Sequence, residues 1–230
     1  MLFKFIRLVI GLALVPLCVA ASLMLVQIVR AVQPPSASAV PPGVWAFAAG
    51  FGLWLVLFFT APRPVRTYVL AHELTHALWG WSMGSKVSGL TVAKSQGSVE
   101  VEDPNFLITL APYFFPLYTL IVIAVYNILG LFFAVEQFHL LWLGLVGFTW
   151  GFHLTFTVST LLQKQTDIHE YGYLFSYTLI YFLNVLGIGL WFVAVTSVTL
   201  EHVLRLLGAD TVHVLALCRQ SLRALSRIWQ

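Results

Sequence analysis

The chain is 230 residues long, 60% hydrophobic and only 9% charged, with a mean hydropathy of +0.90. Soluble domains carry about 25% charged and about 45–50% apolar residues, so this composition excludes a water-soluble globule, a disordered tail and a nucleic-acid binder. The net charge of +3 is spread along the chain and marks no polyanionic partner. Two cysteines, Cys18 and Cys218, supply neither a disulfide framework nor a Cys-based zinc site.

The first apolar run covers residues 6–29, between Lys4 and Arg7 on one side and Arg30 on the other. A signal h-region takes about 7–15 residues, whereas a bilayer crossing takes about 20. A retained span is therefore expected, although residues 36–39 faintly resemble a small-residue cleavage site. Residues 33–43, rich in Pro, Ser and Ala, form a loop. A second span at 44–60 stops at Pro62 and Pro64, with Arg63 and Arg66 at the interface. A third, shorter apolar helix follows at 67–83. Residues 84–103 break the pattern: the β-prone runs 87–92 and 98–102 flank Lys94-Ser95-Gln96-Gly97 and predict a hairpin. Three more spans follow at 106–129 (with Pro112 and Pro116), 138–162 and 171–200, the last two separated by the polar segment 163–170. There is no internal repeat. The expected fold is an all-α polytopic membrane protein with about six transmembrane helices and a short β-hairpin after the third. Trp79, Trp81 and Trp142 read as interface anchors.

Positive charge supplies an orientation. With the N-terminus in the cytoplasm, Lys4, Arg7, Arg63, Arg66, Arg205, Arg219, Arg223 and Arg227 fall inside, while Arg30, Lys86, Lys94 and Lys164 fall outside. That bias predicts both ends inside for six spans. In the tail, 201–230, Arg219, Arg223 and Arg227 recur every four residues opposite Leu217, Leu222, Leu225 and Ile228. Such a helix can lie on anionic lipid or stand as a solvated, partly frayed helix.

The chemistry is concentrated in the third helix, which reads His72-Glu73-Leu74-Thr75-His76. Residues four apart lie one turn apart on one helix face, so both imidazoles can reach a single cation. Glu73, beside that face, can take a proton from a water acidified by the metal without being a ligand. Zinc (Zn2+) suits the nitrogen ligands and the open position that hydrolysis needs. With seven histidines in the chain, composition alone yields only about 0.005 occurrences of this pattern. Three ionisable groups within five residues of an apolar helix are also costly in lipid unless paired or functional. The competing reading is a set of interhelical hydrogen bonds. A third ligand is needed, and the candidates are Glu136, His139, His153, Asp167, His169 and Glu170. Asp167 is the first choice because it opens the final long span, ahead of His153 and Glu170. Asp167 and Glu170 also have the spacing of an N-terminal capping pair. His153, inside the 138–162 span, is a candidate for holding substrate, stabilising the oxyanion or hydrogen-bonding a metal ligand, or else a buried histidine bonded to a neighbour.

At these residues the chain resembles the site-2-protease-like intramembrane zinc metallopeptidases, most closely their compact branch without a PDZ domain. The resemblance rests on the His72–His76 motif in an apolar helix and the hairpin-like segment 86–102. It extends to Leu110-Ala111-Pro112, similar to the family's Gly-Pro-containing motif, and to Asp167 ahead of Gly172. It covers about 64–184. The family's Asp is usually followed directly by Gly, whereas Asp167 is followed by Ile168 and His169. The chain is read as a two-span segment 1–62, a metallopeptidase-like membrane core 63–200 and a basic amphipathic tail 201–230, the first two spans and the tail lying outside the resemblance. The resemblance implies zinc on His72, His76 and Asp167, Glu73 as the base, and a membrane-spanning or membrane-adjacent peptide as substrate. The rival expectation is a non-catalytic scaffold or metal-handling protein that retains the motif. Polar groups spread through several spans would favour transport, but here they gather at 72–76 and 163–170. The compact plan is compatible with a bacterial inner membrane. A six-span arrangement places Asp167 at the outer interface and His72 and His76 mid-helix, so 163–170 must dip inward or the third helix must sit further out.

Overall fold

The computed structural model describes residues 2–32, 40–93 and 96–228. Most of the expected 33–43 loop, including the cleavage-like stretch 36–39, lies outside the described residues, as do Lys94 and Ser95 of the expected hairpin turn and the side chains of Arg227 and Ile228. The described chain is mostly helical with one small hairpin. Its helices stop where the sequence carries breakers. Helix α1 covers Leu2–Val32. Helix α2 (Pro42–Thr60) starts with a proline in its first turn, where no N–H is needed, and ends before Pro62. Helix α3 (Val65–Ser82) begins directly after Pro64 and ends near Gly84, whose φ of 81° turns the chain away. Strands β1 (Val87–Val92) and β2 (Gly97–Val101) then pair antiparallel, Val87 opposite Val101 and Val92 opposite Gly97. An irregularity lies between Ser88 and Thr91.

The single span expected at 106–129 is broken. Helix α4 (Phe106–Leu110) is capped by Asn105, whose side chain accepts from the Leu107 and Ile108 N–H groups at 2.9 and 3.1 Å. It runs into one 3-10 turn, Ala111–Tyr113, and helix α5 (Leu117–Gly130) then leaves at 81°. Pro112 and Pro116 each remove a donor from the ladder, so one straight helix cannot run through them. Helix α6 (His139–Leu161) follows. Asp167 does not open the last span: it lies in a separate short helix α7 (Thr166–Tyr171), which ends at Gly172 (φ 90°) before helix α8 (Tyr173–Val195). Nor does Asp167 stand at a capping position, because α7 already includes Thr166. The tail is one long helix, α9 (Leu200–Ile228).

Four of the described helices, α1, α2, α6 and α8, are long and apolar enough to cross a membrane, and the bent pair α4–α5 makes five if counted as one span. The expected count of about six is not reached on these criteria. Helix α3 falls short because Arg66, His72, Glu73 and His76 keep it polar.

The chain packs as two units, divided between Asp167 and Ile168. In the first, α1 and α8 run parallel. Gly11 lies against Phe175, the Cys18 thiol meets the Thr178 carbonyl at 3.2 Å, and the Ser22 and Tyr181 hydroxyls are 2.8 Å apart. Val203 of α9 packs against Met24 and Ile28 of α1.

In the second unit α2 and α6 are also parallel and in close backbone contact. A Cβ at Gly50 would collide with the Gly144 carbonyl, and one at Gly147 with the Phe47 carbonyl. Such small-residue contacts let helices pack where lipid offers no hydrophobic drive. Further along the pair, Trp54 packs with Phe58, Phe152 and Phe156 and donates its indole N–H to the Thr155 hydroxyl at 2.8 Å. Helix α5 lies antiparallel on α6, Tyr118 against Phe152 and Tyr126 against Trp142.

The direction of these helices positions the site. Because α2 and α6 are parallel, their C-terminal ends lie together, with Phe58 against Phe156 at 5.7 Å. Helix α3 leaves from the first end and the segment carrying Asp167 leaves from the second. The separation of Asp167 from the two histidines expected for six spans therefore does not arise.

Candidate metal centre

One turn of α3 separates His72 from His76, and their Nε2 atoms are 3.2 Å apart. Asp167 brings Oδ2 to 3.4 Å from His72 Nε2 and 3.7 Å from His76 Nε2. Among the described residues these three form the group with metal-ligand geometry. Bonds of about 2.0–2.1 Å in a tetrahedral zinc site set neighbouring ligand atoms about 3.3–3.4 Å apart, close to the three spacings found. Two imidazole nitrogens and one carboxylate oxygen also match the donor types of a hydrolytic zinc site.

The surroundings fix these groups. His76 Nδ1 donates to the Ile108 carbonyl at 2.9 Å, which leaves the lone pair on Nε2, facing the centre. That carbonyl is available for a local reason: Pro112, four residues on, has no N–H with which to continue the helical ladder. Tyr68, one turn before His72, places its hydroxyl 3.3 Å from His72 Nδ1. Tyr113 donates its hydroxyl to Asp167 Oδ2 at 3.0 Å and sets its ring edge-on to His72. Burial alone raises the Asp167 carboxyl, but the two imidazoles beside it more than offset that and hold it below the ordinary carboxylate range, so it offers an anionic oxygen.

Glu73 is 8% exposed and faces the hairpin. Gly97, at the start of β2, lies so close that a Cβ there would be 2.6 Å from Glu73 Cγ and 2.9 Å from its Oε1. Only glycine lets the strand cover this acid without displacing it.

His153 is not in the cluster. It lines a neighbouring cleft together with Tyr68, His72 and Thr75 of α3 and Thr149 of α6. The remaining sequence candidates lie elsewhere. His139 stands by Trp142, His169 by Tyr173, and the Glu170 carbonyl accepts from Arg7 at 2.7 Å; Glu136 precedes α6. Of the tryptophans, Trp79 packs edge-on to Phe114 and Phe115, Trp142 stacks on Tyr126, and Trp81 is exposed. Tyr68, Tyr113, the Ile108 carbonyl and Gly97 are site elements that sequence reasoning missed. The nearest signal was the Leu110-Ala111-Pro112 segment, which lies between two of them.

No protein-family model, curated protein or solved structure matches this chain.

Tyr113 offers a separate check on the centre. Outer partners of metal ligands are commonly worth about 10–100-fold in metal affinity, so Tyr113→Phe is expected to weaken zinc binding by roughly that factor. Competition with a chromophoric chelator measures it, and parental affinity in the variant would remove Tyr113 from the site.

Proposed function

We propose that this chain is an integral-membrane, zinc-dependent endopeptidase of the site-2-protease-like kind, hydrolysing peptide bonds of membrane-spanning or membrane-adjacent substrates. The observation that supports this most is the meeting of His72, His76 and Asp167 atoms at tetrahedral spacing, with buried Glu73 next to them. Those three residues would hold the zinc, which when bound acidifies water and polarises the scissile carbonyl. Glu73 accepts the proton of the attacking water as its oxygen bonds to the carbonyl carbon. It returns that proton to the leaving amine as the C–N bond breaks. Gly97 keeps Glu73 in place from the hairpin side, and a cleft lined by His72 and His153 lies next to the site.

The same reading assigns α3 no full crossing. Helices α2 and α6 point one way and α5 the other, so α3, the hairpin and α4 return the chain to the end from which α5 starts. Among the described helices the crossings then number five, and the site lies near one membrane face, within reach of water.

Cleavage by the purified chain in liposomes tests the activity. A single-span reporter peptide is expected to be cut, the cutting to stop with a zinc chelator and to resume with added zinc. Zinc-loaded protein that leaves a panel of such peptides intact would instead favour a non-catalytic scaffold.

A further inference from the structure

Helix α9 has two halves with different surroundings. Its first half is held within its unit: Val203 is fully buried against Met24 and Ile28, Leu206 and Leu207 pack on the same cluster, and Val214 is buried further on. Gln27 of α1 fastens this half by donating to both Asp210 carboxylate oxygens at 3.0 and 2.8 Å. From Leu215 through Ser226 every residue is exposed. The helix nevertheless continues to Ile228, and its apolar stripe continues through Leu225. At about 100° per residue, Cys218 and Leu225 project on the side that Val203 and Leu207 use against α1 and on which Val214 is buried, with Leu222 at its edge. Arg219 and Arg223 project on the other side. No acidic residue occurs between 211 and 230.

An apolar stripe continuous with a packed interface, bordered by arginines and lacking any acid, matches one occupant on charge and shape: the headgroup region of an anionic bilayer. The bilayer is at hand, since α1 and α8 of the same unit are long and apolar enough to span it. We infer that the distal half of α9 lies along an anionic membrane surface. Leu222 and Leu225 sink below the headgroups there, and Arg219 and Arg223 pair with lipid phosphates. This inference does not depend on the proposed hydrolytic activity.

Cys218 is an exposed, free thiol within this stripe and serves as the natural reporter. A nitroxide is attached to it in the full chain carrying Cys18→Ser, reconstituted in nanodiscs of phosphatidylcholine with or without phosphatidylglycerol. With phosphatidylglycerol present the label should become accessible to lipid-dissolved oxygen and protected from a water-soluble relaxant, and high salt should weaken that protection. Each arginine near such a surface is worth about five-fold in binding, so Arg219→Gln with Arg223→Gln should lower the docked-to-free ratio about 30-fold. A label that stays in water in both lipids overturns the inference. So does protection that is equal in neutral lipid and untouched by the double substitution. Protection that scales with the number of chains per nanodisc would identify a second copy as the occupant and likewise overturn it.

Discussion

Glu73→Gln is expected to abolish peptide hydrolysis while leaving zinc in place. Glutamine keeps the shape that fits beneath Gly97 but cannot accept the proton of the attacking water. The loss should be at least the about 10²–10⁴-fold ascribed to general acid–base catalysis. His72, His76 and Asp167 are untouched by the change, so zinc content should stay at the parental level. Cleavage of a reporter peptide and metal analysis of the same preparation read both effects. Parental turnover by the variant would exclude Glu73 as the base, whereas loss of metal and activity together would make Glu73 a support of the centre.

Asp167→Ala should have the largest effect on the metal itself. It removes the carboxylate of the His72–His76–Asp167 group, the acceptor of the Tyr113 hydroxyl, and leaves only the two imidazoles to hold a cation. The loss in zinc affinity should exceed the about 10–100-fold typical of an outer partner, taking occupancy well below that of the parent after dialysis. Glu170→Ala is the matched control, since in α7 Glu170 engages Arg7 through its backbone carbonyl. If Asp167→Ala retains zinc at parental affinity, another group completes the site.

The legible part of this molecule is the local part. Two histidines four apart on an apolar helix announce a shared face, because helical geometry alone brings them together. The hairpin was equally readable from its β-prone runs around Gly97. Asp167 was identifiable by its chemical type, but its element was misjudged: the positive φ of Gly172 cuts the polar segment from the last span, and no residue count shows that. The break at 106–129 was signalled by Pro112 and Pro116, yet their consequence is tertiary. Removing the Pro112 donor releases the Ile108 carbonyl, and only packing delivers it to His76. Gly97 against Glu73 and Tyr113 against Asp167 are contacts at long sequence separation, invisible to periodicity. The parallel run of α2 and α6 rests on glycines meeting carbonyls across the helix pair. It brings the ends carrying the histidines and Asp167 together, which alternating spans alone would not suggest.

The central claim is that two imidazoles and one carboxylate hold a zinc ion. X-ray absorption at the zinc edge of the purified, detergent-solubilised chain tests it most directly. The account predicts about one zinc per chain with only nitrogen and oxygen neighbours, outer scattering from two imidazoles in the parent, and scattering from one in a His76→Ala sample that retains metal. A protein that binds no zinc, or a spectrum without imidazole scattering, would contradict it.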